Sequence, residues 1–248
     1  MIDLHSHILP SIDDGARNID DALAMLYESE SQGVTHVLAT PHINIGTFDN
    51  DLRIIQTAFE QVQQAIDLEK LQIKLAYAAE VRICPEILQL AVSEQLPFVG
   101  KYQGKNVLLL EFPHSHVPPG SEKLVDWLMA RNILPLIAHP ERNRDAWSLP
   151  EIMSPFIRRN CLFQITAGSL LGDFGERASN LAWRYLESNS TVVVASDMHN
   201  LSKRAPKMRQ AFELVHAELG DEKANYMFND LPLEILMSNV CFKKSSFA

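Results

Sequence analysis

The sequence predicts an α/β fold in which parallel strands alternate with helices and close into a barrel. Two observations predict it. Seven apolar, strand-like runs are separated by helix-like segments along the 248 residues, with no internal repeat, low-complexity tract or long linker. Acidic and histidine residues follow the strand-like runs, and in such a barrel the C-terminal ends of the strands meet at one face. An open sheet would instead spread these residues along an edge.

Each predicted strand combines an apolar run with a polar end. The first, Ile2-Asp3-Leu4-His5-Ser6-His7, has a period of two, so His5 and His7 project to the same side. Two imidazoles one pleat apart can share a divalent metal ion. The seven predicted strands cover residues 2–7, 34–41, 73–81, 106–112, 134–139, 161–166 and 191–196.

The predicted helices lie between these strands. Residues 19–32 carry apolar side chains at helical spacing, and Gly33 follows as a C-terminal signal. Ser148-Leu149-Pro150-Glu151 has the form of a capping box with proline in the first turn, which predicts another helix. Further helices are predicted over 174–189, 203–220 and 231–239. We expect residues 1–248 to form a single domain.

Composition restricts the classes of function. The net charge of −9 and the pI near 5.5 argue against a nucleic-acid-binding protein or a protein of anionic membranes, because both use basic surfaces. No run approaches the roughly 18 apolar residues of a membrane span. The first strand starts at residue 2, which leaves no room for a cleavable signal. We therefore expect a cytoplasmic protein without direct membrane insertion; the sequence predicts no oligomeric state.

The three cysteines, Cys84, Cys161 and Cys241, are widely spaced and include no C-x-x-C pair. This pattern indicates neither a disulfide framework nor a zinc ribbon, and we expect reduced thiols. A cysteine-dependent phosphatase needs a thiolate, five intervening residues and an arginine. At that spacing the residues are Leu90, Ala167 and Phe247. The sequence therefore does not support a covalent cysteine mechanism.

Nine acidic or histidine residues are expected to converge at the mouth of the barrel. Taken singly, each has an ordinary alternative: Asp14 is a turn former, and Glu111 is a salt-bridging strand end. Together, five imidazoles and four carboxylates are too many for one tetrahedral ion and predict two or three divalent ions such as manganese, iron or zinc. The candidate ligands are His5, His7, Asp14, His42, Glu80, Glu111, His139, Asp197 and His199.

Two arginines follow the last of these motifs. Arg142 stands three residues beyond His139, and Arg204 stands five beyond His199. Three divalent ions would leave the pocket positively charged, so it would attract a dianion, and the guanidinium groups suit phosphate oxygens. The alternative for either arginine is a surface charge at a helix start. The set predicts a phosphomonoesterase in which metal-activated hydroxide attacks phosphorus.

The motifs resemble the polymerase and histidinol phosphatase (PHP) superfamily, and within it the manganese-dependent bacterial protein-tyrosine phosphatases of capsule and exopolysaccharide gene clusters. The resemblance runs in order from residue 1 to about residue 206. The motifs that carry it are Asp3-Leu4-His5-Ser6-His7, Ile12-Asp13-Asp14-Gly15-Ala16, Thr40-Pro41-His42, Ala79-Glu80, Glu111-Phe112, Ala138-His139-Pro140-Glu141-Arg142, Gln164-Ile165-Thr166-Ala167-Gly168-Ser169, Ser196-Asp197-Met198-His199-Asn200-Leu201 and Arg204-Ala205-Pro206.

The resemblance implies a distorted (β/α)7 TIM-like barrel of the PHP type, with a trinuclear site at the C-terminal ends of the strands. It implies metal ligation by all nine candidates, and phosphate binding with transition-state stabilisation by Arg142 and Arg204. Asp3 and Asp13 match the motif as well, in supporting or turn-forming roles. The implied substrate is phosphotyrosine on a bacterial tyrosine autokinase that controls polysaccharide export.

Two alternatives stay open. The same metals could serve a small-molecule phosphatase, such as a histidinol-phosphate phosphatase, or the site could be the relic of a non-catalytic interaction module. The complete ligand set argues against a relic. We expect the other histidines, His36, His114, His116 and His216, to be structural or solvent-facing, although the second and third of them follow Glu111 closely enough to touch a substrate.

Overall fold

The computed structural model describes residues 1–188 and 190–239 and confirms the α/β class. Its strands are β1 (Ile2–Ser6), β2 (His36–Ala39), β3 (His42–Ile43), β4 (Lys74–Tyr77), β5 (Glu80–Arg82), β6 (Gly100–Tyr102), β7 (Lys105–Glu111), β8 (Ile133–Ala138), β9 (Leu162–Thr166) and β10 (Thr191–Ala195).

These strands form two sheets. One is three-stranded in the order β1-β2-β4, and the other is seven-stranded in the order β10-β9-β8-β7-β5-β3, with β6 paired to β7. All strand pairs are parallel except β6 with β7, a short hairpin that the sequence analysis did not predict. Among the described residues, β1 and β10 are joined only by an isolated bridge between Ser6 and Met198 and not by a continuous ladder, so the closed seven-stranded barrel stays a prediction.

The strand predicted over 34–41 is confirmed as β2 with shorter bounds, and after a break at residues 40–41 the strand β3 begins at His42. The strand predicted over 73–81 is wrong as a continuous element, because a second break separates β4 from β5, which begins at Glu80. Pro41, which lies at the first break, has no N–H group to donate to a ladder. After each break the chain leaves the smaller sheet and enters the larger one, so His42 and Glu80 begin strands and lie side by side in register.

The first and last strands are joined at their C-terminal ends. His7 N–H donates to the carbonyl of Met198 at 2.9 Å, and Asp197 N–H donates to the carbonyl of His5 at 2.8 Å. The buried Asp3 carboxylate accepts from both the backbone N–H and the hydroxyl of Ser196. These bonds bring the polar ends of β1 and β10 together.

Eleven α-helices connect and cover the strands in the described part of the chain. They are α1 (Ile19–Ser31), α2 (Leu52–Glu69), α3 (Ile87–Val92), α4 (Ser121–Met129), α5 (Arg144–Ser148), α6 (Ser154–Ile157), α7 (Ala167–Leu170), α8 (Glu176–Glu187), α9 (Met208–Leu219), α10 (Asp221–Asn225) and α11 (Leu231–Leu236). Short 3-10 helices cover Pro140–Arg142 and Pro150–Met153, and a π-helical turn covers Tyr226–Asp230. No described helix has the length and apolarity that a membrane crossing requires.

The helix predictions are confirmed over 19–32, 174–189, 203–220 and 231–239, with shorter bounds; Asn189, at the end of the second, lies outside the described residues. The capping box at Ser148 is wrong. This hydroxyl donates to the carbonyl of Arg144 in the last turn of α5, and the 3-10 helix that starts at Pro150 has no side-chain cap. Because its hydroxyl already bonds within α5, Ser148 does not cap the helix that follows.

Buried apolar residues form two clusters. The larger cluster lies between the helices and the sheets, with Met25 and Phe163 among its members. The smaller joins strands of both sheets, including Leu4 of β1, Leu109 of β7 and Val193 of β10, and α11 packs against it through Ile235. This second cluster thus packs the two sheets against each other, and the polar residues lie at the C-terminal ends of the same strands.

Candidate metal centre

All nine predicted ligands lie together, and ligand atoms of eight of them form three overlapping groups. The first group consists of His5, His7, Glu80 and Asp197, whose ligand atoms lie within 4.8 Å of one another. The Nε2 atoms of the two histidines are 3.1 Å apart, and that of His5 lies 3.2 Å from Glu80 Oε2. All four side chains are buried; His5 and Glu80 lie in β1 and β5, whereas His7 and Asp197 lie just beyond the ends of β1 and β10.

The second group adds the loop that follows β1. It consists of His7, Asp14, His42 and His199, again with ligand atoms within 4.8 Å. Oδ1 of Asp14 lies 3.3 Å from His199 Nε2 and 3.4 Å from His42 Nε2. Asp14 is half exposed, so this group lies toward the solvent side of the centre.

The third group is made by His42, Glu80 and Glu111. His139 joins it, with Nε2 at 2.7 Å from Glu80 Oε1 and 3.9 Å from Glu111 Oε1. His7, His42 and Glu80 each belong to two groups. Shared ligands of this kind suit neighbouring ions that are bridged, as in polynuclear metal sites.

The centre contains buried polar atoms that lack hydrogen-bond partners in the described structure. Such atoms are rare in folded proteins and cost about 1–3 kcal/mol each. They are imidazole nitrogens and carboxylate oxygens, the donors that manganese, iron and zinc accept, so the residues fit divalent metal ions. The atoms are His42 Nδ1, Glu80 Oε2, Glu111 Oε2, Asp197 Oδ1 and His199 Nε2.

Two of the candidate ligands adopt strained backbone conformations. His139 directly follows β8 and has a φ of 31°, and Asp197 follows β10 with a φ of 51°. Residues other than glycine rarely occupy this left-handed region, and doing so costs on the order of 1–3 kcal/mol. In both cases the turn directs the side chain of a strand-end residue toward the shared centre.

The carboxylates of the centre raise the pKa values of His7 and His42, whereas burial lowers the pKa values of His139 and His199. Burial opposes the charge on His7, but the surrounding carboxylates, with Asp13 foremost, together outweigh burial and hold the pKa of His7 well above its usual value. Burial acts in the same way on His42, yet Glu80 raises its pKa to about 10. Burial and the Glu80 charge raise the pKa of Glu111 to about 7. Metal ions would replace the protons that compensate these carboxylates.

We expect metal binding to release protons, because ligating imidazoles must be neutral. Since the raised pKa values keep His7 and His42 protonated near neutrality, the apparent affinity for Mn²⁺ should increase as the pH rises from ~6 to ~8. Calorimetric titrations in two buffers of different ionisation enthalpy would count the protons. His216→Gln, which changes an exposed histidine, is the matched control. Equal heats in both buffers would contradict the expectation.

The loop that carries Asp14 is held against the first strand. Asp13 Oδ2 lies 2.7 Å from His7 Nδ1, and Asp13 Oδ1 accepts from the backbone of Gly15 at 2.9 Å. A Cβ atom at Gly15 would lie 1.9 Å from the carbonyl oxygen of His7, so only glycine fits. The Asp13-Asp14-Gly15 segment thus positions one candidate ligand and orients the ring of another.

Gln164 of β9 orients two of the histidines, a role that the sequence analysis did not assign. Its Oε1 lies 2.9 Å from His5 Nδ1 and accepts from the backbone N–H of His139 at 3.1 Å. A carbonyl oxygen only accepts, so Nδ1 of His5 carries the proton and Nε2 is left for a metal ion. The sequence signal for this role was a glutamine within the otherwise apolar strand β9.

The sequence analysis also did not identify Arg82, whose Nε lies 3.0 Å from Glu111 Oε2.

We expect Gln164→Leu to weaken metal binding, because the ring of His5 would lose the acceptor that fixes its tautomer. Loss of such a partner typically costs about 10- to 100-fold in affinity. Metal titration monitored by calorimetry measures the effect without relying on catalysis. Gln63→Leu, a change on the exposed face of α2, is the control and should bind metal as the parent does. Parental affinity in Gln164→Leu would show that the contact is dispensable.

Both predicted arginines lie at the centre and not on the surface. Nη2 of Arg142 and Nη2 of Arg204 donate to the same oxygen of Asp197, the second at 2.7 Å. Arg142 is only 5% exposed. The Nε atoms of both side chains are buried without hydrogen-bond partners in the described structure. Donors therefore remain for an anion bound beside the metal ligands.

Of the two histidines that follow Glu111, one reaches the centre. The ring of His114 stacks on that of His139, with centroids 5.1 Å apart, and burial together with the Arg142 charge lowers its pKa to about 4. His116 is exposed and contacts the neighbouring Ser115 hydroxyl. His114 is thus a neutral group at the edge of the centre.

Comparison with known proteins agrees with this geometry. The sequence profile of the family described as capsular polysaccharide synthesis, CpsB/CapC, matches residues 1–237. Tyrosine-protein phosphatase YwqE of Bacillus subtilis is 33% identical over 246 residues, which cover 98% of this chain and 94% of the relative. Tyrosine-protein phosphatase CpsB of Streptococcus pneumoniae is 31% identical over 246 residues, covering 97% of this chain and 100% of the relative.

The fold has a solved counterpart as well. A crystal structure reported for YwqE from Bacillus subtilis and CpsB from Streptococcus pneumoniae, described as metal-dependent tyrosine phosphatases, superposes with a TM-score of 0.88. The sequences are 33% identical, and the alignment covers 97% of this chain and 96% of that chain. The similarity therefore extends over nearly the whole of both chains.

Proposed function

The chain belongs to the CpsB/CapC family of capsular polysaccharide synthesis, and from this membership and its centre we propose that it is a metal-dependent tyrosine-protein phosphatase. The observation that carries the proposal is the convergence of the three ligand groups beside two arginines that share Asp197. An anionic ester bound there would meet both kinds of group at once.

The proposed cofactors are two or three divalent metal ions, with Mn²⁺ as the first candidate and iron or zinc as the others. The support is that three overlapping groups offer only imidazole nitrogens and carboxylate oxygens. We assign ligation to all nine residues, with His139 attached through the group of Glu80 and Glu111. Since these ligands come from strands at both ends of the chain, we also take residues 1–248 as one domain.

The bound ions would supply Lewis acidity and a nucleophile derived from water near neutral pH. The chain's own residues would orient the substrate. Arg142 and Arg204 are already held by Asp197, so their remaining N–H groups can bind non-bridging phosphate oxygens without much further ordering. Because these donors are preorganised and largely buried, they would stabilise the charge that develops in the transition state.

The proposed substrate is phosphotyrosine on a protein, with a bacterial tyrosine kinase of polysaccharide synthesis as the partner. The family description and the names of the relatives support this choice. We propose a cytoplasmic location, and the free thiols of Cys84 and Cys161 agree with a reducing compartment.

The same thiols give no support to cysteine chemistry. Burial raises the pKa of Cys161 to about 12, and burial also raises the pKa of Cys84. Neither thiol would form the thiolate that a covalent mechanism needs. Cys241 lies outside the described residues. The two alternatives, a histidinol-phosphate phosphatase and a relic metal site, gain no support from the relatives.

The function is tested with a substrate panel. The Mn²⁺-loaded protein should hydrolyse a phosphotyrosine peptide, and do so faster than a phosphoserine peptide or histidinol phosphate. Chelation should abolish turnover, and Mn²⁺ should restore it, because the ions supply the nucleophile. Changing Cys84, Cys161 and Cys241 to serine should leave turnover largely intact. Hydrolysis by a metal-free preparation, or a preference for histidinol phosphate, would refute the proposal.

Arg142→Ala should separate catalysis from metal binding. We expect kcat/KM for the phosphotyrosine peptide to fall on the order of 10²- to 10³-fold, since two donors to the phosphate are lost. Metal content should be unchanged. Arg142→Lys should recover only part of the rate, because an ammonium group cannot make the bidentate contact.

The matched control is Arg158→Ala, which removes an exposed arginine. It should retain parental kinetics and metal content. If Arg142→Ala loses its metals, the residue is structural. If it keeps both its metals and parental kinetics, phosphate is bound elsewhere.

A further inference from the structure

A second cavity opens beside the metal centre, and its lining differs from that of the centre. It has a volume of about 320 Å³, within the range of roughly 300–1,000 Å³ that is usual for ligand sites. Two of its residues, Arg142 and Arg204, donate to Asp197, so the cavity adjoins the proposed phosphate position. The lining residues are His114, Arg142, Arg144, Trp147, Phe174 and Arg204.

The aromatic walls of this cavity are held in place. Trp147 Nε1 donates to the carbonyl of Glu141 at 2.7 Å, which fixes the indole. The Arg142 guanidinium lies 4.8 Å from the centroid of the Phe174 ring. A Cβ atom at Gly168 would lie 3.3 Å from Phe174 Cε2, so the glycine leaves room for this ring. Both rings are only partly buried and expose surface to the cavity.

The loop that carries Phe174 is also anchored. Lys207 Nζ lies 2.7 Å from the carboxylate of the preceding residue, Asp173, which ties this loop to the start of α9. The ring is therefore positioned before any ligand binds. A preorganised aromatic wall loses little entropy when a flat ligand stacks on it.

Another cavity at the centre differs from this one in the charge and the aromatic content of its lining. That cavity, of about 610 Å³, has Asp14, Arg17, Asp21 and His199 among its lining residues. Its described lining contains two carboxylates and no phenylalanine, tyrosine or tryptophan. The described lining of the smaller cavity contains no carboxylate, and it has two such rings. An aryl phosphate suits the smaller cavity on both counts.

We propose that this cavity binds the phenyl ring of the phosphotyrosine side chain and that Phe174 is a specificity-determining residue for aryl over alkyl phosphates. The inference rests on the proposed function and extends it. With phosphate oxygens held by Arg142 and Arg204, the ring enters the space between Phe174 and Trp147. Aromatic pairs in such sites are favoured at centroid distances of roughly 4.5–7 Å. A serine or threonine phosphate has no group to fill this space.

The test uses Mn²⁺-loaded protein and two non-hydrolysable peptides of equal length and charge. One carries a phosphonate analogue of phosphotyrosine, and the other carries an alkyl phosphonate without a ring. We expect Phe174→Leu to weaken binding of the aryl peptide by ~10-fold, while the alkyl peptide and inorganic phosphate change by less than about twofold. Leucine keeps an apolar cover over Arg142 but removes the π face. Phe174→Tyr should retain the aryl preference.

Three further variants locate the ring. Leu68→Ala alters an exposed apolar side chain on α2 and should leave both affinities unchanged. Phe48→Leu removes the ring that stacks on His42 at 5.5 Å, on another side of the centre. Arg144→Gln removes an exposed charge from the lining of the cavity. We expect neither of these changes to reduce the aryl preference.

Each outcome bears on the proposal. Equal losses for the aryl and alkyl peptides in Phe174→Leu would show that the ring only supports Arg142, and would overturn it. A selective aryl loss in Phe48→Leu would overturn it by placing the substrate ring beside His42. So would a loss in Arg144→Gln that depends on acidic residues in the peptide, because the cavity would then bind anions. If the parent protein prefers the aryl peptide but hydrolyses no phosphotyrosine, the result supports the ring-binding cavity and refutes the proposed phosphatase activity.

Discussion

The structure depends on burying several carboxylates and imidazoles within a few ångströms of one another. Glu80 shows the constraint most clearly: its oxygens lie 2.7 Å from His139 Nε2, 3.0 Å from His42 Nδ1 and 3.2 Å from His5 Nε2. Carboxylates removed from water to this extent need compensating positive charge. Protons on His7 and His42 can supply part of this charge, and the ligand groups suit metal ions that would supply it as well. Asp13 and Gln164 contact the Nδ1 atoms of His7 and His5, and these contacts hold the two rings in an orientation that suits metal ligation.

Much of this arrangement was predictable because parallel strands end at a common edge. Once the apolar runs were recognised as parallel strands, His5, Glu111 and His139 had to approach one another, whatever the details of the helices. The breaks after β2 and β4 were not visible in the same way. A strand that moves from one sheet to another keeps its apolar pattern, and only Pro41 marks the first break. The prediction therefore placed His42 and Glu80 correctly at the centre, although the bounds of the strands beside them were not correct.

The features that the sequence did not predict depend on contacts between distant segments. Gln164 has a role only because β9 lies beside β8, which puts its amide oxygen against the backbone of His139. Arg82 similarly meets Glu111 only through the pairing of β5 with β7. The false capping box at Ser148 has a local cause, since the preceding helix uses the same hydroxyl. Helix α2, which was not among the predicted helices, has both signals in its local sequence, a stripe of buried apolar residues at helical spacing and an N-cap at Asp51.

Asp197 connects the two functions of the centre. Its Oδ1 lies 3.3 Å from Nε2 of both His5 and His7, while Oδ2 accepts from Arg142 and Arg204. One carboxylate thus divides its oxygens between the proposed metal ligands and the proposed phosphate-binding groups. Its left-handed backbone, with a φ of 51°, is what turns the side chain into this position at the end of β10. Because Oδ1 contacts the candidate metal ligands and Oδ2 contacts the two arginines, any displacement of this carboxylate would alter both sets of contacts. The shared carboxylate therefore couples the geometry of the candidate ligands to that of the two guanidinium groups.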